Sequence, residues 1–293
     1  MTATRSFTGA AGNRLVADIR GEGPRTALLL HGGGQTRHAW EGTARRLAAE
    51  GWRAVCLDQR GHGDSDRAPG GAYSFLDFAA DAAAVGRALA GEGEGEGIAP
   101  VAIGASLGGI ASLLALGETP EGAPAPFRGL ALVDIVPRMD PRGVDKIQGF
   151  MRANAREGFV SLEAAADAVA AYLPHRPRPR SLDGLRKNLR ASPDGRLRWH
   201  WDPDFLDGPR SVNADWERAE ARLHHATAIL AVPTLLVRGG SSELVTPEAA
   251  RDFLAMAPDA EFVDVAEARH MVAGDANDAF AEAVVSFLRR RLD

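Results

Sequence analysis

Five residues, Gly104-Ala105-Ser106-Leu107-Gly108, constrain this chain more than any other stretch. They follow a short apolar run, Val101-Ala102-Ile103, and precede a longer one, Gly109 to Leu116. The first reads as a buried strand and the second as an apolar helix. A serine between them, with glycine two residues to either side, is expected in a sharp strand-to-helix turn. In such a turn the hydroxyl stands clear of the sheet, and the N–H groups of the helix N-terminus point toward whatever it attacks. The pattern alone is weak. With 33 Gly and 12 Ser in 293 residues, chance gives roughly 0.15 matches, so the surrounding chain has to decide.

That context is a parallel α/β pattern. Leu15-Val16-Ala17-Asp18-Ile19 reads as an early strand, and Ala27-Leu28-Leu29-Leu30 as a buried one that stops at His31-Gly32-Gly33-Gly34. Trp40 to Glu50 is predicted as a helix closed by Gly51, Arg53 to Asp58 as a strand, and Phe75 to Leu89 as a helix. Gly91 to Gly97 alternates Gly with Glu and reads as a solvated connector. After the Ser106 turn comes the strand Leu130 to Ile135. Strands this continuously apolar, separated by helices, imply a mostly parallel sheet covered on both faces. Alternation stops at Pro137 and resumes with Thr234-Leu235-Leu236-Val237, the helix Pro247 to Met256, the strand Glu261 to Val265 and a helix from Asn277 to Arg290.

The interruption differs in charge as well as pattern. Residues 138–225 carry a formal charge of +3, and the remainder carries −8. The expected organisation is an α/β core of residues 1–137 and 226–293 with a mildly basic helical cap over residues 138–225. The total of −5 argues against a general nucleic-acid binder. No apolar run is long enough to span a bilayer, so no membrane partner is expected. The N-terminus lacks the apolar centre of a signal peptide, and Cys56 is the single cysteine. These features point to a cytoplasmic location. Cys56 falls in a predicted buried strand and reads as a small core residue. No His or Cys grouping has metal-ligand spacing, and neither a metal nor a cofactor is expected. The expected partner is a small-molecule substrate, with homo-oligomerisation left open.

A serine hydroxyl needs a neighbouring base, and the base needs an orienting acid. Such groups belong at strand C-terminal ends, where loops meet on one rim of a parallel sheet. His270 follows the last predicted strand and is the expected base. Glu243 lies just after Val237-Arg238-Gly239-Gly240 and is the expected acid, with Asp134, at the end of the strand after the serine helix, as the alternative. The glycines after His31 allow close backbone approach to a substrate, and the backbone N–H groups of Gly33 and Leu107 are assigned to hold a developing oxyanion. Gly32 and Gly34 are expected to line the same site. His31 is expected to support the loop by hydrogen bonding, and Asp58-Gln59-Arg60-Gly61-His62-Gly63-Asp64-Ser65 to form a structural turn. In the cap, Phe150, Tyr172, Trp199 and Trp201 are candidates for an apolar substrate wall, with cap core as their other role. His175 to Arg180 reads either as a cationic approach for an acidic substrate or as a proline-stiffened linker.

Taken together, the glycine loop with Trp40 downstream, the 58–65 turn, the Ser106 turn, the loop to Glu243 and His270 resemble the α/β-hydrolase superfamily in its capped, esterase- and lipase-like branch. The features cover the whole core in family order, and only residues 138–225 match no motif. Most members carry Asp where Glu243 stands, which leaves room for Asp134. Epoxide hydrolases and haloalkane dehalogenases of the branch use an Asp nucleophile, so Ser106 argues against both chemistries. The resemblance implies a serine hydrolase of carboxylic esters, lactones or thioesters acting through an acyl-enzyme. Cofactor-free perhydrolases (non-haem haloperoxidases) and C–C bond hydrolases use the same triad and stand as alternatives. A receptor-like, non-catalytic ligand-binding protein on the same fold is the rival from outside enzymology.

Overall fold

The computed structural model describes residues 2–92, 97–176, 178, 181–266, 268–272 and 277–292. The core strands are β1 (Thr2–Thr8), β2 (Arg14–Arg20), β3 (Arg25–Leu30), β4 (Trp52–Leu57), β5 (Val101–Ala105) and β6 (Gly129–Val133), then β9 (Thr234–Gly239) and β10 (Glu261–Val265). They form one eight-stranded sheet in the order β1-β2-β4-β3-β5-β6-β9-β10. The pairs β1–β2 and β2–β4 are antiparallel, and the five pairs from β4–β3 to β9–β10 are parallel. Every residue of β6 and β9 is buried, as a sheet covered on both faces requires.

Each face has its own apolar layer. On one side α1 (Glu41–Ala49) and the C-terminal α10 (Asn277–Arg291) cover the sheet with Leu47, Phe280, Val284 and Phe287, beside Trp40. On the other lie α2 (Phe75–Ala90), α3 (Leu107–Gly117) and α9 (Pro247–Met256), with Phe78, Leu113 and Phe253 in the core. Helix starts follow local chemistry. Ser74 and Asp77 form a reciprocal capping box at α2, and Thr246 caps α9 ahead of Pro247.

Between β6 and β9 stand α4 (Pro141–Ala153), α5 (Leu162–Tyr172), α6 (Asp183–Arg186), the hairpin β7 (Leu189–Ala191) and β8 (Leu197–Trp199), α7 (Asp204–Asp207) and α8 (Trp216–Ala228). Three features depart from the sequence reading. The segment read as strand-free contains the β7–β8 hairpin, whose strands are only three residues long and too short to set a period. The boundary at residue 225 falls inside α8, which packs on α3 in the helix layer of the core. A Cβ on Gly117 of α3 would lie 2.4 Å from Ala226 Cβ, so these helices touch almost backbone to backbone. The third departure is β1, a polar edge strand in which only Phe7 is buried. Its alternation carries too little apolar signal to be read from sequence. Residues 93–96 of the Gly-Glu connector lie outside the described residues, as do Pro177, Pro179 and Arg180 of the cationic segment.

Candidate active site

Ser106 sits at φ 47° and ψ −114°, between β5 and α3. A positive φ on a β-carbon residue is strained by about 1–3 kcal/mol and persists only where the surroundings enforce it. Here the surroundings are the flanking glycines. A Cβ on Gly104 would fall 2.4 Å from the Gly108 carbonyl oxygen, and one on Gly108 would fall 2.2 Å from the Leu30 carbonyl oxygen. A Cβ on Gly109 would fall 2.4 Å from Ile135 Cγ2. The three glycines therefore let α3 start tightly against β3 and β5, and that packing holds the serine in its turn.

The β6 and β9 ends and the loop after β10 meet beside it. His270 Nδ1 lies 2.8 Å from Asp134 Oδ2, with the Asp134 side chain fully buried. The acid's other partners fix it in place. The Gly239 N–H donates to Oδ1 at 3.0 Å, and Ser242 Oγ donates to Oδ2 at 2.6 Å. Ser242 Oγ in turn accepts from the N–H groups of Leu244 and Val245, each at 3.0 Å. Asp134 itself has φ 51°, and it and Ser106 are the two non-glycine residues in the left-handed region among the described residues. The His270 loop is drawn in because β9 ends in glycine: a Cβ on Gly239 would lie 2.4 Å from the Arg269 carbonyl oxygen.

Glu243, the acid expected first from the sequence, is not the residue on His270 Nδ1. Its Oε1 is 3.5 Å from Lys146 Nζ on α4, and its Oε2 is enclosed with no hydrogen-bond partner. The physical reason is the path of the loop after β9. It presents the backbone of Gly239 and the hydroxyl of Ser242 to Asp134, and turns the next side chain toward the cap. Ser242 was not singled out from sequence, since a lone loop serine carries no periodic or motif signal.

The glycine loop is held from below by two buried, neutral histidines. His31 Nδ1–H donates to the Gly32 carbonyl at 2.8 Å, and its Nε2 accepts from the Gln59 N–H at 3.1 Å. His62 Nδ1–H donates to the Arg60 carbonyl at 2.9 Å, and its Nε2 accepts from the Gly34 N–H at 3.1 Å. Both acceptor roles need an unprotonated Nε2. Burial lowers His31 to about 4 and His62 to about 3. The expected support by His31 is thus extended by His62, from the turn read as structural. That turn is built on Asp58, whose carboxylate takes the N–H of Arg37 at 2.6 Å and of Asp64 at 2.9 Å, along with the Arg37 guanidinium. Gly63 is required there, since a Cβ would lie 2.1 Å from Asp58 Oδ2.

A pH dependence of stability follows. The folded pKa of each imidazole is below its unfolded value near 6.5, so between the two values the unfolded chain binds more protons. Stability is complete above pH 6.5 and falls as the pH drops toward 4. For His31 the loss between pH 7.5 and pH 5 is about 2 kcal/mol. Urea unfolding at the two pH values should show a loss smaller by that amount in His31→Gln. An equal loss in variant and parent would contradict the assignment.

Within the glycine loop the Gly32 N–H donates to Gln35 Oε1 at 3.0 Å and the Gly34 N–H is taken by His62. The N–H groups of Gly33 and Leu107 have no acceptor among the described residues. Ser106, Gly33, Leu107 and His270 all line one cavity of about 1190 Å³, together with residues of the 138–225 segment. Gly32, Gly34, Phe150, Tyr172, Trp199 and Trp201 line it too. Phe150 and Tyr172 stack at 4.1 Å, and Trp199 packs edge-on against Phe159 at 5.1 Å, so these cavity-lining rings also pack on one another. Asp134 and Glu243 lie behind the wall. Burial pushes the Cys56 thiol up to about 12, in keeping with a small core residue rather than a reactive one. Among the described residues no group of three or more His, Cys, Asp or Glu is placed to hold a metal, and no helix is long and apolar enough to cross a membrane.

The family described as "Serine aminopeptidase, S33" matches residues 23–277, and the chain belongs to it. An esterase of Mycobacterium tuberculosis is 29% identical over 276 residues, 92% of this chain and 85% of that protein. A 2-(acetamidomethylene)succinate hydrolase of Mesorhizobium japonicum is 29% identical over 282 residues, 94% of this chain and 92% of that protein. The crystal structure of an E-2-(acetamidomethylene)succinate hydrolase superposes with a TM-score of 0.80 at 25% identity, covering 99% of this chain and 100% of that one. The fold is that of the α/β-hydrolase superfamily, with its mostly parallel eight-stranded sheet.

Proposed function

We propose that this member of the family is a serine hydrolase that cleaves carboxylic esters, lactones or thioesters through an acyl-enzyme. The observation that carries the reading is the 2.8 Å contact of buried Asp134 with His270, which lines the same cavity as the strained Ser106. In this mechanism Ser106 Oγ attacks the carbonyl carbon and gives its proton to His270 Nε2. Asp134 holds Nδ1–H and stabilises the imidazolium that results. The carbonyl oxygen becomes an oxyanion facing the N–H groups of Gly33 and Leu107, each such donor being worth about 2.7–4 kcal/mol in the transition state. Collapse breaks the bond to the leaving oxygen or sulfur, which takes the proton from Nε2. Water then repeats the sequence, with His270 as base, and releases the acid and free Ser106. The esterase and hydrolase names of the relatives support the reaction class.

A serine-directed fluorophosphonate tests the reading directly. Folded protein should gain the mass of one phosphonyl group, located on the Ser106 peptide, and prior incubation with a short-chain p-nitrophenyl ester should slow the labelling. A folded protein that stays unlabelled would support a ligand-binding role for the cavity instead.

A further inference from the structure

One polar atom in the cavity has no task in the mechanism above. Trp201 is 4% exposed, and its Nε1 lies 3.7 Å from where a Cβ on Gly34 would stand. The side chain is held there by the backbone. Residue 201 forms an isolated antiparallel bridge with His62, closed by the Gly63 N–H donating to the His200 carbonyl at 2.7 Å and the Asp202 N–H donating to the Gly61 carbonyl at 2.8 Å. Phe205 packs edge-on against the ring at 6.2 Å. Nothing among the described residues accepts from the indole N–H. The nitrogen is also not enclosed in the way that the partnerless Trp40 Nε1 is, because it opens on the cavity.

Indole is a donor only, and a substrate that seals it from water must supply an acceptor or leave the N–H unsatisfied. We infer that the Trp201 Nε1–H recognises a second oxygen of the substrate, on the acyl side, so that the preferred substrates are esters whose acyl group carries a neutral oxygen acceptor near the scissile carbonyl. The position follows from the loop. Gly34 is one residue beyond Gly33, and consecutive Cα atoms are about 3.8 Å apart, so an acceptor two or three bonds past the carbonyl carbon reaches the indole. The acceptor is neutral because apolar side chains pack against the Gly33–Gly34 backbone beside the indole. Met151 Cε is 2.8 Å from the same Gly34 Cβ position, and Phe205 Cζ is 3.0 Å from the Gly33 one. This rests on the proposed hydrolase reading and adds its acyl specificity.

The test pairs near-isosteric acyl groups: methoxyacetate against butyrate, and 4-oxopentanoate against pentanoate. Turnover of the p-nitrophenyl esters is measured in the parent protein and in Trp201→Phe, each normalised to the ester's rate with hydroxide. Binding of the corresponding methyl esters to Ser106→Ala protein, with and without Trp201→Phe, is measured by calorimetry. In the parent, kcat/KM and affinity should favour the oxygenated member of at least one pair by about five- to tenfold, and Trp201→Phe should bring that ratio close to one. Equal use of both members of both pairs by the parent would overturn the inference, and needs no variant to fold. A preference that survives in Trp201→Phe would also overturn it, as would a fall in kcat common to all four esters, which is the signature of a donor to the oxyanion itself. If the parent turns over none of the esters, the hydrolase reading fails, and the calorimetric ratio still decides the role of Trp201.

Discussion

Ser106→Ala is expected to lower kcat on a short-chain ester by about 10⁶, to a rate supported by the remaining N–H donors and by binding alone. The size of the effect comes from the way nucleophile and base act as one unit. In the proposed mechanism, with the hydroxyl gone, His270 has no proton to move and Asp134 no imidazolium to stabilise, so their contributions vanish along with the serine's. Stability should respond differently. Alanine keeps a Cβ at φ 47°, so it inherits the backbone strain. Ser106→Gly loses the activity equally but relieves that strain, at the cost of about 0.5–1 kcal/mol of extra chain entropy. Thermal unfolding of the three proteins should therefore place Ser106→Gly above Ser106→Ala. Ester hydrolysis retained in either variant, with host esterases excluded, would remove Ser106 from the mechanism. A glycine variant less stable than the alanine one would show that the turn is not strained.

How much of this was legible in the sequence depended on the range over which each signal acts. Strands such as β3 and β6 are buried on both faces and announce themselves as apolar runs, so their ends, and the loops at those ends, were readable. Hence Ser106, His270, Gly33 and Leu107 could be assigned from sequence, and the structure places all four on one cavity. The same logic fails where the deciding contact is long-range and single. Asp134 and Glu243 both follow a strand end, and only the course of the 239–245 loop separates them. Ser242 and Trp201 act through one atom each, and nothing in a linear pattern marks an atom. The β7–β8 hairpin escaped for a related reason, since its strands are held by cap packing and by the bridge of Phe159 to Leu197 rather than by their own period.

Asp134→Asn is the second large effect, and it separates the two carboxylates. In the proposed mechanism the imidazole alternates between neutral and charged in every turnover, and the buried carboxylate 2.8 Å away is matched to the charged form. Asparagine preserves the volume but brings no charge, and its amide can donate to Nδ1 and so fix the wrong tautomer. A fall in kcat of about 10⁴ is expected. Gly239 and Ser242 still hold the side chain, so the fold should survive, and far-UV circular dichroism with phosphonate labelling at a reduced rate would show that it has. Glu243→Gln should cost less than about tenfold, because Glu243 faces Lys146 on the cap and the backbone near His270 rather than Nδ1. The double variant then isolates any coupling between the two acids. If Glu243 takes no part in orienting the imidazole, the double variant loses no more than the product of the single losses. If it substitutes when Asp134 is absent, Asp134→Asn alone will fall well short of 10⁴ and the double variant will lose far more than that product. A large loss in Glu243→Gln beside a small one in Asp134→Asn would reverse the assignment. It would mean that the loop after β9 rearranges in solution to carry Glu243 onto His270.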